Sequence, residues 1–378
     1  SGSSRGIPEI FHASSTNAAA ITVQNAARCI AAGYDSRRPM TEDMIPWLYG
    51  LQHFGVKLGL DNIRATLELL AHPERAYPSI IVAGTNGKGS VAAMVESVLG
   101  ASGVPTGMFT SPHLMRPNER IRLAGADIET DELNRQLRAM ADRIASGMKA
   151  GQLAAHPSFF EVITATALQS FKDHGMNAAV LEVGLGGRLD ATNAVEAEVA
   201  VVVNVDLDHT KTLGGTLELI AAEKAGVVKR GRPVVSGLTQ QRAIDVLREV
   251  CRERGAELID GRAAAWLERE DGRSFDLVTR RHRYTGLRLP LPGRHQLDNA
   301  RIAVAAFEAL AERMGLEPDP DAVRRGLASV RWAGRLQWWE PEDGGPRFLL
   351  DAAHNPAGMA TLIAFLEEAG LPQGALLF

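Results

Sequence analysis

The chain has 378 residues, 45% hydrophobic and 23% charged, with a formal net charge of -4. That length exceeds what one core usually serves, so a globular protein of two domains, or one large domain with a fragment, is expected. The charge gives no ground for nucleic-acid or anionic-membrane binding, and no apolar run reaches membrane-spanning length.

The opening Ser1-Gly2-Ser3-Ser4 lacks the basic-then-apolar order of a signal peptide and reads as an appended segment. Residues 1–40 are Ala-rich, and "NAAAITVQNAARCIAAG" predicts one helix ending at Gly33, a packing appendage with no assigned function. The two cysteines, Cys29 and Cys251, lie far apart and outside any C-x-x-C spacing. They support neither a disulfide framework nor a thiolate metal site, and point to a reducing, cytoplasmic compartment.

From Thr41 the pattern alternates. "MIPWLYGL" and "DNIRATLELL" have helical spacing, and "SIIVAG" is a β-branched run bounded by Pro78 and Gly84. "SVAAMVESVLGASG" follows as a helix with Val91, Met94, Val95, Val98 and Leu99 on one face. The runs "AAVLEVG" (178–184), "VAVVVNV" (199–205) and "RPVVSG" (232–237) alternate with helical stretches such as "FFEVITATALQSF". Buried parallel strands have this appearance, so a doubly wound α/β sheet is expected.

Between about 238 and 292 the chain turns more polar and β-like, predicting short antiparallel strands as an edge elaboration. "LDNARIAVAAFEALAERMG" reads as a helix closed by glycine. After the turn-rich "WAGRLQWWEPEDGGP", "RFLLDAAHNPAG" predicts a strand and loop, and "MATLIAFLEEAG" a helix. A second, Rossmann-like α/β domain is therefore expected from Arg335. It is expected to be incomplete, since Phe378 follows just after its next strand begins. The expected layout is an extension over 1–40, a ligand-binding domain over 41–334 and the start of a second domain over 335–378.

The stretch "VAGTNGKGS" joins a strand to a helix through Gly84, Thr85, Asn86, Gly87, Lys88, Gly89 and Ser90. Glycines let backbone N–H groups approach phosphate oxygens, the helix start adds positive potential, Lys88 adds charge and Ser90 offers a hydroxyl to magnesium. Gly89 separates Lys88 from Ser90, so the general G-x-x-x-x-G-K-[ST] pattern is not met. The order of strand, glycines, lysine and hydroxyl nonetheless favours nucleotide binding over a plain glycine-rich turn.

Glu182 ends a strand before "GLGGRLDATN", where open α/β sheets bind ligands; a capping or ion-paired glutamate would look the same. His209, just past a buried strand, could be a ligand or a base, but by itself reads first as a capped loop residue. Lys224 by itself is an ordinary helix lysine. "SPHLMRPNERIRL" carries Ser111, His113, Glu119 and Arg120 on a loop able to close over a substrate, or a surface turn with one salt bridge. Phe159 and Phe160 suit a pocket wall or a core.

In order along the chain, "LGLDNI", "AGTNGKGS", "TSPHL" with "NERIRL", "FFEV", "LEVGLGGRLDATN", "DHTKTLG", "EKAGVVK", "HQLDNA" and "DAAHNP" resemble the folylpolyglutamate synthase and dihydrofolate synthase group of the Mur ligase superfamily. The resemblance covers roughly residues 44–378; residues 1–40 have no counterpart. It implies an ATP-dependent ligase that adds L-glutamate to dihydropteroate, to reduced folates, or to both, through an acyl phosphate, and that works as a monomer.

The same resemblance implies roles for single residues. Gly84 to Ser90, Asn299, Arg335, Asp351 and His354 would hold ATP, with Asn299 beside the adenine, Arg335 on the phosphates and Asp351 towards the ribose. Ser90 and Glu182 would hold one magnesium, and Ser111, Glu182 and His209 a second. Imidazole is an unusual magnesium ligand, so His209 rests on the resemblance alone. Lys224 would be carbamylated, and Lys88, Glu182, His209 and Lys224 form the catalytic set. Ser111, Pro112, His113, Arg120, Phe159, Phe160 and Asp190 would meet the pterin-bearing substrate. The competing readings are another Mur-type amino-acid ligase, which "LEVGLGGRLDATN" and "TSPHL" argue against, and a nucleotide-binding regulator or degenerate ligase, which would be expected to lose Ser90, Glu182 or His209.

Overall fold

Runs of valine, isoleucine and alanine without polar interruption make strands that are stable only when covered on both faces, and here helices cover them. The computed structural model describes residues 43–55, 59–269, 274–341 and 347–370. The helix expected before Gly33 and the strand expected near Phe378 lie outside the described residues.

Eight strands form the main sheet: β1 (Ser79–Ala83), β2 (Thr106–Phe109), β3 (Ile121–Leu123), β4 (Ala126–Asp127), β5 (Ala178–Glu182), β6 (Val199–Val202), β7 (Val234–Ser236) and β8 (Leu258–Asp260). Their spatial order is β4-β3-β2-β5-β1-β6-β7-β8. The six strands from β2 across to β8 are parallel, and β3 and β4 form an antiparallel edge. β1 lies between β5 and β6, so the loops leaving these three strands emerge side by side at their carboxyl ends.

The helices are α1 (Ile45–Gly50), α2 (Asp61–Leu69), α3 (Lys88–Ala101), α4 (Thr130–Lys149), α5 (Phe159–Asp173), α6 (Thr210–Leu213), α7 (Leu217–Ala225), α8 (Gln241–Arg254), α9 (Arg294–Met314), α10 (Pro320–Ser329) and α11 (Pro356–Glu368). None is long and apolar enough to cross a membrane. The period-two alternation of the strands sorts their side chains between the two faces. Ile80, Val82, Val180 and Val201 pack with Met94 of α3, Phe307 of α9 and Leu327 of α10. On the other face Phe109 and Leu181 meet Leu48, Ile63, Leu137 and Phe171 of α1, α2, α4 and α5, while Ala83 and Val202 meet Ile220 and Leu247 of α7 and α8. α3 is buried almost all round, so it runs through the core rather than along a surface.

Residues 238–292 depart from the expected run of short antiparallel edge strands. Their first part is α8 and the parallel strand β8. α8 went unread because only Ala243, Leu247 and Cys251 are buried in an otherwise charged helix. The antiparallel strands do exist, as β9 (Ala265–Glu268), β10 (Phe275–Val278) and β11 (Arg283–Leu287). They are not an edge elaboration: Phe275, Leu277, Tyr284 and Leu287 share the core of α3 and α9, and the Tyr284 hydroxyl donates to Glu308 at 2.8 Å. Beyond α10, β12 (Gln337–Trp339) pairs with β13 (Phe348–Leu350), and α11 follows.

Gly107 in β2 lies under the Phe171 ring, where an added Cβ would come to 2.4 Å. Gly107→Ala is expected to cost about 1–3 kcal/mol through overpacking. Urea unfolding with an unchanged midpoint would contradict this packing.

Candidate active site

The chain leaves β1 through Gly84 to Gly87 and enters α3 at Lys88, with Gly87 at φ +78° in the left-handed region that favours glycine. The Asn204 side-chain oxygen accepts the N–H groups of Thr85 at 3.0 Å and Asn86 at 2.8 Å, fixing this loop to the segment after β6. Lys88 Nζ donates to the carbonyls of Gly84 and Thr85, both at 3.1 Å, which curls its charge over the loop. A Cβ at Gly89 would lie 2.7 Å from the Trp332 ring. The glycine that breaks the general phosphate-loop pattern is thus required by a tryptophan packed against the first turn of α3.

Ser90 is buried, with its hydroxyl 3.4 Å from the Gln296 amide nitrogen, and Gln296 in turn accepts from Asn299 at 3.0 Å. Asn299 lies against Gly87, its Oδ1 2.8 Å from where a Cβ would be. α9 therefore braces the loop through two amides.

Glu182 ends β5 and is 6% exposed. Burial pushes its pKa up; Lys88, the Ser111 N–H at 3.1 Å, Arg335 and Arg120 draw it back. The segments after β1, β2 and α10 so converge on one carboxylate at the end of β5. Lys224 of α7 is 3% exposed, and burial together with the neighbouring Lys88 charge pushes it down to about 7 against the pull of Asp208 and Asp206. Burial raises the Asp206 pKa, with Lys224 opposing.

His209 is far more exposed than these residues. It sits at φ +47° ahead of α6, 56% exposed, with Nε2 3.9 Å from Asp208 Oδ1. Among the described residues no three His, Cys, Asp or Glu side chains gather as a ready metal site.

Beside Glu182 opens a cavity of about 430 Å³, lined among others by Ser111, Pro112, Arg120, Phe159, Phe160 and Asp190. This volume suits a small organic ligand. Arg120 stacks on the Phe159 ring at 5.2 Å and its Nε donates to His113 Nδ1 at 2.9 Å. That bond leaves the His113 Nε2 proton to the Tyr49 oxygen, 3.0 Å away. His113 stands behind Arg120, its pKa lowered by burial and by the guanidinium. The Glu119 carboxylate gathers the N–H groups of Leu114, Met115 and Arg116 at 2.6, 2.9 and 2.7 Å, fixing the loop's shape.

Asp190 lines the cavity, but its oxygens clamp the chain between 184 and 192. Oδ2 accepts from Leu185 N–H at 2.9 Å, and Oδ1 from Thr192 N–H at 3.0 Å and the Thr192 hydroxyl at 2.6 Å. Burial raises its pKa. Asp351 braces the linker by accepting from Leu336 N–H and Ala353 N–H, both at 2.9 Å, and His354 lies exposed with Nδ1 2.9 Å from the Ala352 carbonyl. Arg335 donates to the Gly334 carbonyl at 2.9 Å while its charge acts on Glu182.

The sequence reading missed Asn204, Gln296, Trp332 and Asn355. Asn204 carried a signal, since it interrupts the apolar run "VVVNV"; the contacts of Gln296 and Trp332 are tertiary and left none.

The Mur ligase middle domain matches residues 82–307. A dihydrofolate synthase/folylpolyglutamate synthase of Bacillus subtilis is 34% identical over 334 residues, covering 86% of this chain and 76% of that protein. One of Mycobacterium tuberculosis is 39% identical over 328 residues, covering 82% and 66%. Among solved structures, Escherichia coli FolC in complex with DHPP and ADP matches with a TM-score of 0.76 at 31% identity, over 89% of this chain and 77% of that one. A bifunctional folylpolyglutamate synthase/dihydrofolate synthase with Mn, AMPPNP and L-glutamate bound matches with a TM-score of 0.74 at 33% identity, over 88% and 76%.

Asn204→Ala removes the acceptor that holds two loop amides. ADP affinity is expected to fall about tenfold, the scale of one or two lost hydrogen bonds. Calorimetric titration giving an unchanged Kd would show that the loop is not shaped by Asn204.

Proposed function

The chain belongs to the folylpolyglutamate synthase and dihydrofolate synthase family of Mur ligases, and from that premise we propose that it joins L-glutamate to dihydropteroate, or to the glutamyl tail of a reduced folate, at the expense of ATP. The observation that carries this reading is a link between two sites: Ser111 lines the 430 Å³ cavity and its N–H donates to Glu182, on which the Lys88 charge of the glycine loop also acts, so a nucleotide phosphate and an acceptor carboxylate can meet there.

An amide does not form from a carboxylate and an amine in water without activation. An oxygen of the acceptor carboxylate attacks the γ-phosphorus, ADP departs with the electrons of the broken P–O bond, and an acyl phosphate results. The glutamate amine then attacks the acyl carbon, loses a proton and expels phosphate. Catalysis of the first step is mainly positioning and charge stabilisation. Lys88 would exchange its two loop carbonyls for phosphate oxygens, the first N–H groups of α3 add donors, and Arg335 brings a second cation. On this reading 41–334 binds ATP and folate, 335–378 begins the glutamate-ligase domain, and Asn299, Asp351 and His354 turn towards the nucleotide.

Arg120 on Phe159, with Phe160 nearby, offers a flat cationic and aromatic wall for a heterocycle. Asp190 and the Ser111-Pro112-His113 segment complete the substrate side, Asp190 chiefly by holding the loop that forms the wall.

Magnesium, when bound, would neutralise phosphate charge during transfer. The Ser90 hydroxyl and Glu182 carboxylate fit a hard cation by oxygen chemistry. Ser111 and Glu182 adjoin as two of the three expected ligands of a second site, whereas His209, which is exposed, supplies nitrogen and fits less well.

Lys224 suits carbamylation. Its buried amine, with a pKa of about 7, is neutral in good part near pH 7. The nitrogen bonds to the carbon of carbon dioxide, releases a proton and becomes an anion. The carbamate carbon signal from labelled bicarbonate is expected to grow as pH rises through about 7 and to vanish in Lys224→Arg; a signal independent of Lys224 would count against the assignment.

The reaction itself is tested by mass spectrometry after incubation with magnesium, ATP and either dihydropteroate or tetrahydrofolate. A glutamate-dependent mass gain on one of them is expected, reduced at least ~100-fold by Glu182→Gln or Lys88→Ala. ATP bound with neither product formed would contradict the ligase.

A further inference from the structure

Asn355 lies in "DAAHNP", beside the two residues given nucleotide roles but itself assigned none. It is 7% exposed and precedes Pro356 at the start of α11. Its Oδ1 accepts from Gly358 N–H at 2.9 Å, capping that helix. The same side chain reaches the phosphate loop: Nδ2 donates to Asn86 Oδ1 at 2.9 Å, and Asn86 Nδ2 returns a bond to Asn355 Oδ1 at 3.2 Å. Nδ2 also donates to Asp208 Oδ2 at 3.0 Å.

Capping alone does not need asparagine, since aspartate, serine and threonine serve as well or nearly so. What selects the amide is the donor side, which faces two acceptors, one of them a carboxylate. Serine would cap without that reach. Aspartate would cap but set a carboxylate against Asp208 and against the Asn86 oxygen.

We infer that Asn355 is a positioning residue, a latch that registers the segment carrying Arg335, Asp351 and His354 on the phosphate loop through Asn86 and on the loop after β6 through Asp208. The linker ahead of it turns at Gly334 (φ +65°) and Leu336 (φ +47°), so the segment's placement depends on what it grips beyond the turn. At the far end of α11 the Arg294–Glu368 pair, at 2.9 Å, is exposed and holds little. With the latch broken, the competent arrangement is populated a smaller fraction of the time, and nucleotide affinity falls by that fraction. This consequence rests on the nucleotide-binding reading proposed above.

Asn355→Asp separates the two uses of the residue, since it keeps the cap and loses the donors. Two readouts are compared across wild type, Asn355→Asp, Asp208→Asn and the double variant: the rate of trypsin cleavage after Arg331 or Arg335, without nucleotide, and the Kd for AMPPNP with magnesium. In Asn355→Asp we expect cleavage several-fold faster and Kd raised about tenfold, with an unchanged Tm. Adding Asp208→Asn should restore most of both, because the new amide at 208 donates to the new carboxylate at 355. Asn86→Ala should weaken AMPPNP binding similarly, and in combination with Asn355→Asp lose little more. Wild-type cleavage and affinity in Asn355→Asp, or a loss that Asp208→Asn leaves uncorrected, would overturn the latch. Failure of the wild type itself to bind AMPPNP would overturn the nucleotide reading and leave the cleavage rates to decide the latch.

Discussion

A carboxylate buried at the end of a strand is costly unless charge and hydrogen bonds are brought to it, and Glu182 organises this molecule on that account. It ends β5, flanked by β1 and β2, so the loops of those neighbours are the nearest sources of compensation. Lys88, the Ser111 N–H, Arg335 and Arg120 supply it from three separate stretches of chain. The same concentration of cations is what a triphosphate and a transferring phosphoryl group require. A residue that would be a liability for stability alone thereby fixes where the chemistry takes place.

The surrounding packing is tight because these loops must approach each other closely. Trp332 over Gly89 and the α7 backbone against Gly187, where an added Cβ would come 2.8 Å from the Glu223 carbonyl, leave no room for side chains. Asn204, Gln296 and Asn299 then restrain the glycine loop from both sides. Lys224, sealed behind the site at 3% exposed, completes the charge pattern: burial pushes its pKa down to about 7, so its charge can change near neutral pH.

Much of this was legible in the sequence because local pattern and burial agree. The strands of the central sheet and the helices at "TNGKG" and "HPSFFEV" are apolar runs with clear boundaries, and Glu182, Lys88, Ser90 and Ser111 fall where strand ends predict. α8 was not legible, since its charged faces hide a three-residue stripe, and neither was the core position of β10 and β11, which depends on contacts with distant helices. Asp190 was expected, from the resemblance, to meet the substrate, but its use as a loop clamp is set by backbone N–H groups at 185 and 192 that no spacing reveals. Asn355 could be read as a helix cap; its second face appears only when the chain folds back on Asn86.

The central claim is that the crevice around Glu182 handles the phosphoryl group. It is tested most directly by a crystal structure of the chain with magnesium and AMPPNP. The account expects the phosphates on the Gly84–Ser90 loop, Lys88 Nζ moved from the Gly84 and Thr85 carbonyls to a phosphate oxygen, and a cation shared by Ser90 and Glu182. Nucleotide bound elsewhere, or bound at the loop with Glu182 still paired only to protein groups and no cation beside it, would contradict the account.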